Sequence, residues 1–210
     1  MKKTVVISLG GSMIINGTGV HVEFIKKFRS IIAAESKKGF KFVIIAGGGN
    51  TCRVYQAAGR QFKFSDVELD TIGIGVCRVN GEFLKAALKG IRGVEVAFGG
   101  KPGESSDGIA TRHAITRGAQ SIINISSTAY VFDSDPEKNP DARKFDQLTW
   151  KQYREIVGTQ WTPGMHAPFD PTAARLAQKN QMSVSFVGGQ NLSDLSRVLH
   201  EKKWAGSKIV

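Results

Sequence analysis

The sequence has little cysteine and no long apolar run. Cys52 and Cys77 are its two cysteines among 210 residues, and they lie in predicted helices, without metal-ligand or disulfide-framework spacing. This usage favours a reducing compartment. No segment reaches the roughly 18 apolar residues that a membrane span requires. The short apolar run after Met1 lacks the cleavage pattern of a signal peptide. We predict a cytoplasmic protein with no membrane partner.

Several common catalytic motifs are also absent. The glycine-rich segments match neither a Walker A motif nor a clean Gly-x-Gly-x-x-Gly fingerprint. Ser12 lacks the Gly-x-Ser-x-Gly context of a hydrolase. The four histidines have neither metal-ligand nor triad spacing: His21, His113, His166 and His200. These absences argue against P-loop enzymes, dinucleotide-binding enzymes, serine hydrolases and zinc sites.

Positive charge is in excess. With 29 Lys and Arg against 18 Asp and Glu, the net charge is +11, which favours an anionic partner such as a nucleotide, a nucleic acid or a membrane surface. The basic residues are scattered, and the aromatic residues near them form no stacking pattern of a nucleic-acid-binding domain. We therefore do not expect nucleic acid as a partner.

Strand and helix patterns alternate along the chain. The β-branched runs at 4–9 and 42–46 each end in glycines and precede a helical pattern, which is the βα unit of a parallel sheet. Further strands are predicted at 94–98, 121–125 and 182–187, and helices from 22 to Gly39 and at 52–62, 66–88, 106–118, 150–157, from 171 and at 192–200. We predict an α/β fold, a three-layer αβα sandwich with a mostly parallel central sheet. One domain, 1–210, would have lobes of about 1–125 and 126–210.

Some apolar residues are assigned to the core by their spacing. In the helix predicted at 66–88 the inward residues are expected to be Ile72, Val76, Val79, Phe83 and Leu84. Phe24, Phe28 and Phe42 also look like core residues. Phe24, Phe28 and Ile31 could equally serve a subunit interface.

Two glycine-rich loops follow buried strands. They are Gly10-Gly11-Ser12 and Gly47-Gly48-Gly49-Asn50, at the strand ends where open α/β sheets bind ligands. Glycine lets backbone N–H groups approach an anion, and the dipole of the following helix favours phosphate. Glycines also end strands for turn geometry alone, but two loops at corresponding positions favour a pair of phosphate sites.

Two other segments place polar groups at helix starts. In the segment 101–107, Ser105 and Ser106 either bind an anionic or hydroxyl group or cap a helix. Asp170, just before Pro171, is either a cap or a carboxylate directed at Mg²⁺ or a lysine. The two roles are compatible.

The order of these loops resembles the amino acid kinase family and, within it, the uridylate (UMP) kinases, with the archaeal-type enzymes as the nearest branch. Six segments carry the resemblance nearly end to end: 9–12, 47–53, 70–81, 99–107, 131–145 and 169–174. Each motif is weak singly, but six in this order are specific to the family.

The resemblance implies an enzyme that transfers the γ-phosphoryl group of ATP to UMP, with Mg²⁺ carried by the nucleotide and no direct protein ligand. By position, it implies catalytic roles for Gly10, Gly11, Ser12, Arg53 and Asp170. It implies UMP binding by Gly48, Asp70, Lys101, Pro102, Gly103, Glu104, Ser105, Ser106 and Asp107, and ATP binding by Gly11, Ser12, Gly49, Arg53, Ser126, Phe132 and Asp135. It also implies a homo-oligomer, a hexamer built from dimers through the first long helix.

Two departures from the family pattern leave alternatives open. Ser8 stands where many members have a lysine that stabilises the transferring phosphoryl group, and Lys101 or Arg53 could substitute for it. Residues 127–132, Ser-Thr-Ala-Tyr-Val-Phe, replace the usual Asn-Val-Asp-Gly-Val-Tyr. The alternatives are a catalytically impaired nucleotide-binding protein and a family kinase with another acceptor, such as isopentenyl phosphate. Arg53 and Asp70 favour a nucleotide.

Overall fold

A computed structural model describes residues 3–17, 19–136, 138–160, 165 and 167–210. Pro163, Gly164 and His166 lie outside this range. The strands are β1 (Thr4–Leu9), β2 (Ile15–Asn16), β3 (Gly19–Val20), β4 (Lys41–Ala46), β5 (Val94–Phe98), β6 (Ser121–Ser126), β7 (Val131–Phe132), β8 (Lys144–Phe145), β9 (Gln147–Leu148), β10 (Ser183–Gly188) and β11 (Lys208–Ile209). The helices are α1 (Val22–Lys37), α2 (Gly49–Gln61), α3 (Asp66–Ala87), α4 (Ser106–Thr116), α5 (Trp150–Val157), α6 (Pro171–Lys179) and α7 (Asp194–Leu199).

One seven-stranded sheet organises these elements, in the order β5-β4-β1-β6-β10-β11-β9. The first five strands are mutually parallel, whereas β11 runs antiparallel to β10 and parallel to β9. Two small antiparallel pairs, β2-β3 and β7-β8, lie outside the sheet. The mostly parallel α/β fold is therefore confirmed, and the carboxyl ends of five strands meet at one edge. No helix in the described part of the chain has the length and apolarity to cross a bilayer.

Apolar layers cover both faces of the sheet. Ile7 of β1 packs in one core cluster with α1, α3 and α7, whereas Val6 packs in the other with α4, α5 and α6. Strands buried on both faces become continuous apolar runs, which is why the β1 and β4 runs show no alternation. Phe24, Phe28 and Phe42 are buried as expected.

The inward face predicted for α3 is partly wrong. Leu84 is buried and Ile72 and Val76 are half-buried, but Val79 and Phe83 are 67% and 42% exposed. The residues that α3 buries are mostly small or polar: Leu69, Asp70, Gly73, Asn80, Gly81 and Leu84. Glycine lets the helix approach its neighbours closely. Because the face that α3 buries is lined by small and polar residues, the spacing of its apolar residues did not indicate that face.

Other elements differ from their predicted bounds or were not predicted. α2 begins at Gly49, within the glycine loop, and α7 is limited to Asp194–Leu199. The two-residue strands β9 and β11 were not predicted, because so few residues carry no periodicity. α1 ends at Lys37, and Gly39 follows it with φ +101°, which agrees with the expected glycine stop.

A methyl group at Gly81 tests the close packing of α3. A Cβ there would lie 2.0 Å from Cδ1 of Phe98, so Gly81→Ala should lower the free energy of unfolding by about 1–3 kcal/mol. Gly75→Ala is the matched control, because a Cβ at this site in α3 meets nothing within 4 Å. It should raise stability by about 0.5–1 kcal/mol. Urea unfolding measures both, and equal effects would contradict the packing.

Candidate active site

The two glycine loops touch each other at the carboxyl edge of the sheet. A Cβ on Gly11 would lie 2.3 Å from the nitrogen of Gly49, and one on Gly49, where φ is +64°, would lie 2.4 Å from the nitrogen of Ser12. No L side chain fits at either position. The loop after β1 and the loop after β4 are thus joined backbone to backbone, and α2 begins at this junction.

Hydrogen bonds hold both loops in place. The Gly10 N–H donates to the carbonyl of Ile125 (2.8 Å), and the Gly47 N–H donates to that of Leu9 (2.9 Å). The buried amide of Asn80, in α3, donates to the carbonyl of Gly47 (2.8 Å). Because Asn80 binds this carbonyl, the glycine turn that precedes α2 is held in one orientation. Asn80 belongs to the resembling segment 70–81, but nothing in the sequence singled it out.

The segment 101–107 closes the site from the side of β5. The Gly103 N–H donates to Oδ2 of Asp70 (2.6 Å), which ties this loop to α3. Asp70 is almost buried, and burial raises the pKa of its carboxyl group. Its other oxygen accepts no hydrogen bond from the residues that the structure describes. The Ser106 hydroxyl lies beside Gly47, so this segment and both glycine loops meet in one place.

Asp107 lies at the centre of a polar network between strands. Its Oδ1 accepts a hydrogen bond from the Ser8 hydroxyl (2.7 Å) and one from the amide of Asn124 (3.3 Å), and its Oδ2 accepts the Asp170 N–H (3.1 Å). Burial raises the pKa of Asp107 to about 6, although the hydroxyl of Ser8 opposes the rise. The carboxylate of Asp107 therefore joins four elements: β1, β6, α4 and the start of α6.

Asp170 caps α6 and also faces α4. Its Oδ1 accepts the N–H groups of Thr172 and Ala173, and its Oδ2 accepts the hydroxyl of Ser105. Ser105 in turn caps α4 through the Gly108 N–H (3.0 Å). Both helix caps proposed from the sequence are confirmed, and the two caps are hydrogen-bonded to each other. The N-termini of α4 and α6 therefore point at one small region.

All four carboxylate oxygens of Asp107 and Asp170 already accept hydrogen bonds from protein groups. Over the described ranges there is no cluster of three or more His, Cys, Asp or Glu residues placed to hold a metal ion. A metal ion carried by a ligand would fit this donor set through water more readily than through direct ligation.

Two predicted cations, Arg53 and Lys101, lie in segments that belong to this site. Arg53 is half-buried on α2, Lys101 is exposed, and neither makes a hydrogen bond or an ion pair to the residues that the structure describes. Glu104, by contrast, pairs with Arg112 on α4. Arg53 and Lys101 are therefore available to an anionic ligand, whereas Glu104 is committed to holding its own loop.

The remaining predicted residues extend along the second half of the chain. Ser126 ends β6 next to Gly10, since a Cβ on that glycine would lie 3.7 Å from the Cβ of Ser126. Phe132 is half-buried in β7, and Asp135 is exposed in the following turn, 3.6 Å from the ammonium group of Lys138. Ser126 therefore lies at the glycine loops. Phe132 and Asp135 lie in and after β7.

Both cysteines are free, and their sulfur atoms flank Gly48. A Cβ on Gly48 would lie 3.3 Å from the sulfur of Cys52 and 3.4 Å from that of Cys77. Burial raises the pKa of Cys52 and raises that of Cys77 to about 12. Both groups therefore remain thiols at neutral pH and act as apolar packing beneath the loop.

The sequence matches the model of the amino acid kinase family over residues 3–99 and 94–188. The chain belongs to the amino acid kinase family. Within this family it is similar to the uridylate kinase of Thermoplasma volcanium, with 31% identity over 223 residues that cover 96% of this chain and 95% of the relative.

Solved structures of this family share the fold. The uridylate kinase of Archaeoglobus fulgidus superposes with a TM-score of 0.78 at 25% identity, over the whole of both chains. The UMP kinase of Bacillus anthracis superposes with a TM-score of 0.80 at 20% identity, over 99% of this chain and 95% of that one. The resemblance to the amino acid kinases that the sequence motifs indicated is therefore confirmed.

Ser8 and Asn124, like Asn80, are site residues that the sequence patterns did not single out. Ser8 was considered as the place of an absent lysine, and Asn124 as part of a strand. Their hydroxyl and amide groups instead hold Asp107. The available signal was a polar residue inside each of two otherwise apolar strands, since buried polar groups are hydrogen-bonded.

Removing the Ser8 hydroxyl should change the ionisation of Asp107. The hydroxyl stabilises the ionised form, so Ser8→Ala should raise the pKa of Asp107 by about 0.7 unit, equivalent to one hydrogen bond of about 1 kcal/mol. A carboxyl ¹³C NMR titration measures the shift. Thr116→Ala, on α4 but bonded only to backbone carbonyls of its own helix, is the control. An unchanged titration in Ser8→Ala would contradict the network.

Proposed function

We propose that this protein is a UMP kinase that converts ATP and UMP to ADP and UDP. The observation that carries the proposal is the convergence of three segments suited to binding anions, the two glycine loops and the loop 101–107, beside Asp170. The likeness to uridylate kinases over nearly the whole chain supports UMP as the acceptor. Such an enzyme would act in pyrimidine biosynthesis in the cytoplasm.

UMP would bind between α3 and the loop 101–107, in the lobe of residues 1 to about 125. The free oxygen of Asp70 would accept hydrogen bonds from the ribose hydroxyls, while its other oxygen keeps the Gly103 N–H. Gly48, Lys101, Ser105 and Ser106 would surround the phosphate, and Pro102, Gly103, Glu104 and Asp107 would give the loop its shape. Glycine and hydroxyl donors suit a phosphate oxygen, and Lys101 adds charge.

ATP would bind on the other side of the junction, towards the lobe of residues 126 to 210. Gly10, Gly11, Ser12 and Gly49 would offer backbone N–H groups to its phosphates, and the start of α2 would add a favourable dipole. Ser126, Phe132 and Asp135 would contact the nucleoside. Mg²⁺ bound to the ATP phosphates supplies charge neutralisation during transfer.

The transfer itself would be direct and in line. An ionised phosphate oxygen of UMP attacks the γ-phosphorus while the bond to the β–γ bridging oxygen breaks, and that oxygen leaves with ADP. No proton is required. The protein's contribution is positioning and electrostatics. Many family members use a lysine at the position of Ser8 to stabilise the transferring phosphoryl group. In this chain Arg53 and Lys101 would take that role, and Asp170 would orient the groups around the phosphoryl group.

The experiment that tests this function is phosphoryl transfer from ATP and Mg²⁺ to a panel of UMP, CMP, AMP, GMP and isopentenyl phosphate, run beside calorimetric titrations. Turnover with UMP in clear preference to the others is expected. Binding of UMP or ATP without turnover would overturn the kinase proposal in favour of a nucleotide sensor. Turnover restricted to isopentenyl phosphate would change the acceptor.

Asp70→Asn should weaken UMP binding selectively. The loss of a charged acceptor to the ribose is worth about 1.5–3 kcal/mol, so we expect the KM for UMP to rise about 10-fold or more and the KM for ATP to change less than about 3-fold. Steady-state kinetics with each substrate varied measure the difference.

The control for Asp70→Asn is Glu82→Gln, which removes an exposed carboxylate of the same helix, 4.0 Å from the ammonium group of Lys85. It should leave both KM values unchanged. Equal changes in the two KM values of Asp70→Asn would argue against a role specific to UMP.

We propose further that the chain forms a homo-oligomer, a hexamer built from dimers. In the described residues, seven of the ten exposed large apolar side chains lie between positions 54 and 83: Val54, Tyr55, Phe62, Phe64, Val67, Val79 and Phe83. Such a concentration of exposed apolar side chains on α2, α3 and the turn between them suits a subunit interface. Phe24 and Phe28 of α1, by contrast, are buried in the core.

A charge placed on this patch should reduce the assembly. Val79 is 67% exposed, and Val79→Glu would bring a carboxylate from each subunit into an apolar contact. Light scattering should show a mass above that of a monomer for the unaltered chain and a smaller mass for Val79→Glu. Val210→Glu, at a 43% exposed valine outside α1, α2 and α3, should not change the mass. A monomeric unaltered chain would refute the proposal.

A further inference from the structure

Tyr153 is a fully buried polar residue that lies outside the glycine loops and the segment 101–107. It projects from α5, a short helix whose start is fixed by a capping box between Thr149 and Gln152. Its ring packs edge-on against Trp150, with centroids 6.2 Å apart. The helix therefore presents the phenol group in one orientation.

The phenol oxygen holds the backbone of one residue on both sides. The Tyr153 hydroxyl donates to the carbonyl of Phe169 (2.5 Å) and accepts the N–H of the same residue (2.6 Å). Phe169 is fully buried and belongs to no helix or strand. Neither water nor regular structure can replace this pairing, so without Tyr153 both backbone groups would remain buried and unpaired.

The peptide group that joins Phe169 to Asp170 is thus fixed at both ends. Its carbonyl accepts from Tyr153, and its N–H donates to Oδ2 of Asp107. This peptide plane sets the direction in which the Asp170 side chain leaves the backbone. Burial raises the pKa of Tyr153 well above its ordinary value, so the phenol stays a donor throughout the working pH range.

We propose that Tyr153 is a positioning residue for Asp170, which it orients through the backbone of Phe169. This inference rests on the proposed function, in which Asp170 orients the groups at the point of phosphoryl transfer. Tyr153 touches no substrate. It would act on the transfer step and leave the UMP site, between α3 and the loop 101–107, unaffected.

Tyr153→Phe removes a single oxygen atom and separates the two roles. We expect kcat to fall about 10- to 100-fold, because a misplaced group lowers transfer more than binding, with the KM for UMP changed less than about 3-fold. In the same variant, amide hydrogen exchange followed by NMR should accelerate at Phe169 and Asp170 by a similar factor. An unchanged kcat together with faster exchange would overturn the proposal.

Trp204→Phe is the matched control. It removes a hydrogen bond from an indole N–H to a backbone carbonyl, that of Phe186 (3.0 Å), at a residue outside α5. It should change neither the exchange of Asp170 nor kcat. A fall of kcat as large as that in Tyr153→Phe would show that the loss of such a hydrogen bond lowers activity wherever it lies, and would overturn the proposal.

The exchange measurement also keeps this inference separate from the proposed function. If the unaltered chain fails to phosphorylate UMP, the proposed function fails, and exchange at Phe169 and Asp170 in Tyr153→Phe still decides whether the phenol holds the backbone of these residues. In the unaltered chain the amide protons of Phe169 and Asp170 should be protected. Rapid exchange at these two amides would refute the pairing of Tyr153 with the backbone of Phe169, without any variant.

Discussion

At Gly11 and Gly49 two backbone segments meet with no space for a Cβ between them. The contact joins the loop after the central strand β1 to the loop after β4, and so it fixes where α2 begins and where its N-terminal dipole points. The other parts of the site are arranged around it. Asn80 supports it from α3, and Ser106 approaches it from α4. A larger side chain at either glycine would separate the two loops.

A second constraint is the carboxylate of Asp107, which links four elements that are distant in sequence. It receives hydrogen bonds from Ser8, Asn124 and the backbone of Asp170. A buried carboxylate is tolerable only when such donors surround it. The donors hold the pKa near 6 when burial alone would raise it further. This network occupies the position next to β1 where many family members have a lysine, and it explains how a serine there can be integral to the site.

Much of the fold and part of the site could be predicted from the sequence. β-branched runs that end in glycines gave the parallel strands and the edge at which ligands bind, because these features depend on local periodicity and turn chemistry. The helix caps at Ser105 and Asp170 could also be predicted, because each cap depends on residues that are close in the sequence. The inward face of α3 and the roles of Ser8, Asn80, Asn124 and Tyr153 could not be predicted, because each depends on a partner far away in the chain.

The sequence by itself determined the α/β class, the glycine loops and the membership of a kinase family, since strand runs, loop motifs and their order are properties of the chain read in one direction. Only the tertiary structure decided which side chains hold the site together. The pairing of Ser8 with Asp107, of Asp70 with Gly103 and of Tyr153 with Phe169 spans 99, 33 and 16 residues. Such pairs form only after the sheet has brought their elements together, and no local pattern encodes them.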